Sequence, residues 1–244
     1  MAVYRYVKKN NSPKRKALNY FSYASLVVGA LLLFWSFYPI ASFELYSRFF
    51  IKNYISTPVA SSQVPSLGDA SSVLGVFNKF SNNLRDYTQA SLWFPDKPQA
   101  SNTNTFSVKE YTLSIPKLNI KDAKVSVGGE DLTKSLVHYL PTSLPGEYGN
   151  VAIFGHSTLP QLYNPKDYKT IFTYLPSLEK GDFILINVGD VEYQYEVFAV
   201  SVVKPDQVSV LNPDKDGSYL TLVTCVPPGT FWMRLVIKAR LKLL

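Results

Sequence analysis

Cysteine and histidine are scarce in this 244-residue chain, which has a single cysteine, Cys225, and only two histidines, His138 and His156. One cysteine excludes a disulfide bond within the chain and a metal site built from several thiolates. Hydrophobic residues make up 46% of the chain and charged residues 18%, a composition that excludes a disordered or low-complexity protein. The length accommodates one globular domain with additional segments.

Acidic residues are missing from the first 18 positions, which hold six of the 25 Lys and Arg residues. The net charge of +7 therefore belongs mostly to this tail, because the rest of the chain carries 19 basic against 18 acidic groups. A nucleic-acid-binding domain should instead display its basic residues on a folded face. We accordingly predict no nucleic-acid partner, and nothing in the composition calls for a cofactor.

Charges are also absent from residues 18–43, which include a dense apolar run at 24–37. A transmembrane helix needs about 20 apolar residues, whereas a cleavable signal peptide has an apolar region of about 7–15 followed by a small-residue site, which 41–43 fits poorly. Because Lys and Arg stay on the cytoplasmic side, we predict a cytoplasmic tail at 1–17 and an uncleaved, single-pass anchor at 18–43 in the lipid bilayer of the cell membrane. Everything after residue 43 would then be extracellular. A buried helix of a soluble core is the alternative.

Residues 44–107 are predicted to form a juxtamembrane segment and linker, since Ser, Pro and Gly dominate 56–72 and proline recurs in 95–107. Between these two stretches, residues 73–93 carry an amphipathic pattern that indicates a short helix packed on the domain or on lipid. The tetrapeptide WFPD at 93–96 has two interpretations, an ordinary linker or a cover over a groove, and the composition favours the linker.

From residue 108 onward the pattern predicts short strands separated by turn residues. Residues 191–200 alternate apolar and polar side chains, as in a strand with one buried face, and Gly189-Asp190 joins them to 183–188 as a two-residue hairpin. Further strands are expected at 111–115, 220–225 and 232–241, and short helices only at 132–139 and 167–175. About eight strands predict a mostly β fold, a closed or nearly closed barrel.

Cys225 and Arg234 lie on the last two predicted strands. The period of two puts Leu222 and Cys225 on opposite faces of their strand. If the leucine-rich faces point into the barrel, Cys225 and Arg234 project from its outer wall. A symmetric hairpin centred between Gly229 and Thr230 would set them side by side. An arginine on an outer strand face is usually solvated.

A thiolate beside a guanidinium is suited to acyl transfer, because the positive field lowers the thiol pKa and the donor fork can bind an oxyanion. Protonating a leaving amine needs an acid, and His156 is the candidate because it ends the apolar strand at 151–156, where a side chain can reach a substrate. His138 either packs against the core or lines the groove. Each residue alone is more often structural, and only their combination indicates a catalytic site.

Several motifs resemble those of the sortase family. The sequence TLVTC at 221–225 is similar to the TLxTC signature of sortases, and RLVI at 234–237 is similar to the strand that carries the family's arginine. The sequence LPGEYGNVAIFGHS at 144–157 resembles the segment that ends in the catalytic histidine. The similarity also includes 180–182 and 208–213.

This resemblance covers 108–244 and implies a sortase-like, closed eight-stranded barrel with short helices as the catalytic domain. It implies a cysteine transpeptidase that cleaves a motif of the Leu-Pro-x-Thr-Gly kind near the carboxyl terminus of secreted proteins. Cys225 would form a thioacyl enzyme, His156 would exchange protons with the leaving and incoming amines, and Arg234 would stabilise the oxyanion.

The resemblance also implies that Thr224 shapes the substrate pocket, and His138, if it lines the groove, is the second candidate for substrate binding. The acceptor would be an amine of a cell-wall precursor or of a pilin lysine, and water would give hydrolysis, as in a thiol peptidase.

Two other functions stay open. An L,D-transpeptidase would need a His-Gly-Cys cluster, whereas Leu-Val-Thr precedes Cys225. A non-catalytic anchored barrel that binds peptide or cell-wall polymer would tolerate replacement of Cys225, His156 and Arg234. No metal site is predicted, because the adjacent carboxylates of Glu130 and Asp131 are too few for a hard cation, which needs about six oxygens.

Overall fold

A computed structural model describes residues 13–50, 88–90, 93, 108–212 and 216–242. The chain divides into two units, Met1–Ser42 and Phe43–Leu244. Most of the predicted tail at 1–17, and most of the predicted juxtamembrane segment, amphipathic stretch and linker at 44–107, lies outside the described residues.

The amino-terminal unit consists of helix α1, which spans Pro13–Phe50 and continues into the second unit. Within α1, Lys16–Phe43 is long and apolar enough to cross a membrane. Its large apolar side chains are exposed, for example Leu31 at 63% and Trp35 at 67%. This exposure favours the predicted anchor over the alternative of a buried helix in a soluble core.

The second unit is a closed barrel of eight strands, as the sequence predicts. The strands are β1 (Glu110–Ile115), β2 (Ile120–Val127), β3 (Leu136–His138), β4 (Gly149–Phe154), β5 (Phe183–Val188), β6 (Val191–Val203), β7 (Ser218–Val226) and β8 (Met233–Leu241). Around the barrel their order is β1-β2-β3-β4-β7-β8-β6-β5.

Two of the strand pairs, β2 with β3 and β4 with β7, are parallel, and the others are antiparallel. The predicted hairpin between β5 and β6 is confirmed, with Val188 paired to Val191 across Gly189-Asp190. Gly189 has a φ of 58°, the left-handed conformation that such a two-residue turn requires.

Apolar side chains pack on both sides of the β4–β7–β8 part of the wall. Leu220, Leu222 and Ile237 belong to the cluster inside the barrel. The opposite faces of the same strands belong to a second cluster, here called the outer layer. Its members are Ala90, Trp93, Leu132, Val137, Tyr139, Ala152, Phe154, Val203, Val210, Leu211, Val223, Cys225 and Val236. All nine residues of β7 are buried because both of its faces are covered.

The two predicted short helices are wrong. In the first, at 132–139, residues 136–138 form β3 instead, because pairing with β2 and β4 outweighs the local preference. In the second, at 167–175, the chain forms successive turns that end in a 3₁₀ turn at Leu175–Ser177. There the hydroxyls of Thr170 and Thr173 donate to the carbonyls of Asn164 and Thr170 at 2.6 Å, and such local bonds compete with a helix.

Candidate active site

Cys225 and Arg234 are directly opposite each other across the β7–β8 hairpin. This confirms the register that the sequence predicts from the centre of the connecting loop. Cys225 shares the outer layer with Val223, so it projects from the outer wall of the barrel, as expected. The pairing places a guanidinium and a thiol on neighbouring strands at one end of the barrel.

The Arg234 side chain is buried, with only 2% of its surface exposed, so the expectation of a solvated arginine is wrong. Its Nη1 donates to the carbonyls of Phe231 at 3.0 Å and of Met233 at 3.3 Å. Its guanidinium carbon lies 5.3 Å from the centre of the Trp93 ring. Its Nε has no hydrogen-bond partner among the described residues, so one donor of the fork is free to take an acceptor.

His156 follows β4 directly, with Gly155 between them. A Cβ at Gly155 would lie 2.5 Å from the Phe172 ring and 2.6 Å from Leu136, so a larger residue there would force the strand end outward. The carbonyl of His156 accepts from the amide of Phe172 at 2.9 Å. Its Nε2 is buried and has no partner among the described residues.

Burial keeps both candidate reacting groups in their neutral forms near pH 7. Burial lowers the pKa of His156 to about 4, against a smaller opposing effect of the Asp131 carboxylate. Burial raises the pKa of Cys225, and the positive charge of Arg234 opposes that rise. The covered site therefore holds a thiol and a neutral imidazole, and the thiolate–imidazolium pair is a minor form.

Trp93 covers this end of the barrel. It is fully buried, its ring stacks on Phe154 at 5.6 Å, and it lies 5.8 Å from the His156 ring. Of the two interpretations of the WFPD tetrapeptide, the ordinary linker is thus wrong for Trp93. The sequence signal for the covering role was the pair of large aromatic residues Trp93 and Phe94 beside a proline-containing linker.

A short preceding segment attaches this cover to the barrel. Gln89 forms an isolated antiparallel bridge with Asp131. The amide of Ala90 donates to the carbonyl of Glu130, and the amide of Leu132 donates to the carbonyl of Thr88, both at 3.0 Å. The predicted acidic pair at 130–131 thus lies in the loop that holds the cover. Among the described residues, no cluster of His, Cys, Asp or Glu could hold a metal ion.

Thr224 precedes the cysteine and has its side chain on the opposite face of β7. It is fully buried, and its hydroxyl donates to the carbonyl of Gly155 at 2.8 Å. The structure therefore places Thr224 between the cysteine strand and the backbone next to His156.

His138 is not brought to this group. It lies on β3, fully buried, and its Nδ1 shares a 2.8 Å hydrogen bond with the hydroxyl of Tyr111, a residue of the cluster inside the barrel. Its Nε2 lies 3.1 Å from the hydroxyl of Thr142. Since both ring nitrogens already have partners within the protein, the structure matches the alternative that His138 packs in the core, and its predicted contact with substrate gains no support.

The family model of the sortase domain matches residues 113–242, more than half of the chain. The chain belongs to the sortase family. The match covers the three candidate residues on the barrel, His156, Cys225 and Arg234, and ends one residue after β8.

Individual sortases are similar over parts of their length. Sortase A of Bacillus anthracis is 31% identical over 144 residues, 59% of this chain and 59% of that protein. Sortase D of Bacillus subtilis (strain 168) is 29% identical over 116 residues, 47% of this chain and 53% of that protein. The chain thus matches less than two thirds of the length of either relative. A crystal structure of Streptococcus agalactiae Sortase C1 is 25% identical with a TM-score of 0.52, covering 62% of this chain and 78% of that one.

Proposed function

We propose that this sortase is a cysteine transpeptidase with Cys225 as nucleophile, His156 as general acid and base, and Arg234 as the oxyanion donor. The observation that supports it most is the pairing of Cys225 with Arg234 across the β7–β8 hairpin. The Trp93 ring, which shares the outer layer with Cys225, contacts both Arg234 and His156. A thiol, a buried guanidinium whose Nε has no partner among the described residues and an imidazole whose Nε2 likewise has none fit the roles of nucleophile, oxyanion donor and general acid.

The reaction would begin with the minor thiolate–imidazolium form. The Cys225 sulfur would attack the scissile carbonyl, and the resulting oxyanion would accept hydrogen bonds from the Arg234 guanidinium. His156 would protonate the departing amine, which breaks the peptide bond and leaves a thioacyl enzyme. It would then take a proton from the incoming amine as that amine displaces the sulfur.

The donor substrate would be a secreted protein with a sorting motif of the Leu-Pro-x-Thr-Gly kind near its carboxyl terminus. The acceptor would be an amine of a cell-wall precursor or of a pilin lysine, with water as the acceptor in hydrolysis. The exposed apolar segment Lys16–Phe43 supports a single-pass membrane anchor. The basic residues that precede it would keep the amino terminus in the cytoplasm and place the barrel outside the cell.

The direct test incubates the full chain, purified in detergent micelles, with a library of sorting-motif peptides and an amine such as triglycine. We expect cleavage within the motif and a new amide bond to the amine in the wild type, and neither product with Cys225→Ala. If Cys225→Ala cleaves as well as the wild type, or if the wild type binds peptides without cleaving them, the non-catalytic barrel is the correct function.

A further inference from the structure

Where the β4–β7 ladder ends, side chains take over from the backbone in joining the two strands. The last residue pair of the ladder is Phe154 with Val223, and its last backbone bond runs from the amide of Gly155 to the carbonyl of Val223 at 3.1 Å. His156 and Cys225 lie two residues beyond this pair, one on each chain segment. Any connection past this point therefore acts directly on the candidate catalytic residues.

Two hydroxyls make that connection. The hydroxyl of Thr224 donates to the carbonyl of Gly155 at 2.8 Å. The hydroxyl of Ser157 donates to the carbonyl of Cys225 at 2.5 Å. Each bond starts beside one candidate catalytic residue and ends on the opposite strand, so the two bonds cross the gap in opposite directions.

These hydroxyls bind the carbonyls that a continued ladder would use. In a parallel pair, every second residue of a strand bonds to the neighbouring strand: it donates to the residue before its partner and accepts from the residue after it. Val223 is such a residue, so Cys225 would be the next. If the ladder continued, the amide of Cys225 would donate to Gly155 and the amide of Ser157 would donate to Cys225. Thr224 and Ser157 thus replace the next two backbone bonds with side-chain bonds.

A side-chain bond holds two strands together at a greater separation than a backbone bond, because the Cβ and Oγ atoms lengthen the arm. The two side-chain bonds therefore keep the end of the β4–β7 pair connected beyond its last backbone bond. Of the two bonds, that of Ser157 acts on the backbone of the nucleophile itself. Cys225 is only 5% exposed, so removing this donor would leave a poorly hydrated carbonyl without its partner.

We infer that Ser157 is a positioning residue for the transfer reaction. This inference rests on the proposed function, because positioning matters only if His156 and Cys225 exchange a proton. The Ser157 hydroxyl fixes the Cys225 backbone against the segment that carries His156, so that the imidazole stays within reach of the sulfur. Ser157 itself makes no bond to the substrate and changes no bond in the reaction.

The test compares Ser157→Ala and Ser157→Thr in the full chain in detergent micelles, with Ser177→Ala as control. Ser177 makes the same kind of bond, from its hydroxyl to the Tyr174 carbonyl at 2.7 Å, in an exposed turn away from the site. We expect Ser157→Ala to lower kcat for a cleaved sorting-motif peptide about tenfold with little change in KM, a loss that matches one hydrogen bond. Ser157→Thr should restore most of kcat because it keeps the hydroxyl.

A second measurement needs no peptide and follows the rate at which iodoacetamide alkylates Cys225 from pH 5 to 10. In the wild-type background, His156→Ala should change this pH profile, because the imidazole sets the state of the thiol. In the Ser157→Ala background, His156→Ala should change it much less, since the two groups are no longer held together.

Three results would overturn the positioning role. The first is a kcat for Ser157→Ala equal to that of Ser177→Ala. The second is a lower melting temperature of Ser157→Ala with an unchanged kcat per folded molecule. The third is an effect of His156→Ala on the alkylation profile that is equally large with and without Ser157→Ala. Failure of the wild type to cleave any peptide would count against the proposed function instead, and the alkylation profiles would then decide on Ser157 alone.

Discussion

Arg234 combines burial with a donor that has no partner among the described residues. A buried guanidinium is costly unless its donors are satisfied. Here two backbone carbonyls and the face of Trp93 supply part of that compensation, and no Asp or Glu in the described part of the chain forms an ion pair with it. Its Nε, without a partner in the described part of the chain, belongs to the residue paired with Cys225, and in the proposed reaction a negative oxygen would form beside that cysteine.

The planar fork of Arg234 should therefore be essential. We expect Arg234→Lys to lower kcat/KM about 100- to 1000-fold, the effect of losing one oxyanion donor, because an ammonium cannot reproduce the geometry of the fork. The matched control is Arg240→Lys on the same strand, where the guanidinium donates to the Tyr219 hydroxyl at 2.6 Å, distant from Cys225. Near-normal turnover by Arg234→Lys would assign oxyanion binding to backbone amides.

Trp93 should set the protonation of the site, because its burial over His156 and Arg234 excludes water. In Trp93→Ala, the pKa of His156 should rise from about 4 toward its ordinary 6.5, and the raised pKa of Cys225 should fall. Each unit of fall in the cysteine pKa increases the thiolate fraction near neutral pH about tenfold.

The pH dependence of Cys225 alkylation and of peptide cleavage measures this effect. In the pH profile of peptide cleavage, the acidic limb should move to higher pH and the basic limb to lower pH. Alkylation of Cys225 at pH 7.5 should become faster. Trp232→Ala removes a tryptophan that is 59% exposed in the β7–β8 loop and should leave both limbs in place. Identical profiles for Trp93→Ala and the wild type would show that the cover has no influence on the pair.

At the scale of the elements, the sequence predicts what depends on local periodicity and misses what depends on distant contacts. The alternation in β7 and the length of the loop to β8 place Cys225 beside Arg234 correctly, because a short hairpin fixes register. The burial of Arg234 and the covering role of Trp93 depend on residues about 140 positions apart, which no local pattern reports. Strand β3 looks helical in sequence because three residues are too few to show a period of two.

The burial of His138 on β3 has a consequence for the stability of the barrel in acid. His138 bonds to Tyr111 inside the barrel, and burial lowers its pKa to about 4. The unfolded chain takes up a proton near pH 6.5, so the free energy of unfolding should fall as the pH drops from about 6.5 to about 4. The loss should be of the order of 3 kcal/mol for this residue.

Urea denaturation of the full chain at a series of pH values checks this effect. His156 has a similarly lowered pKa, so both histidines contribute to the slope of unfolding free energy against pH. His138→Gln should remove about half of that slope, and His156→Gln should remove a similar part. If His138→Gln leaves the slope unchanged, the histidine is protonated or accessible in the folded barrel.

On the scale of the whole molecule, the two units differ in net charge. The basic excess precedes an apolar helix with exposed side chains, whereas the barrel that follows carries nearly balanced charge. The candidate site lies at one end of the barrel wall, where β4 and β7 end and β8 begins. Trp93, which precedes the matched domain at 113–242, lies buried against His156 and Arg234 at that end.

The most direct measurement of the central claim is intact-protein mass spectrometry of the full chain, quenched with acid soon after mixing with a cleavable sorting-motif peptide and no amine. We expect an added mass equal to the amino-terminal part of the cleaved peptide, located by fragmentation at Cys225 and removed when triglycine is supplied. Cleavage that proceeds without any adduct on Cys225, or that persists in Cys225→Ala, would contradict a thioacyl mechanism at this site.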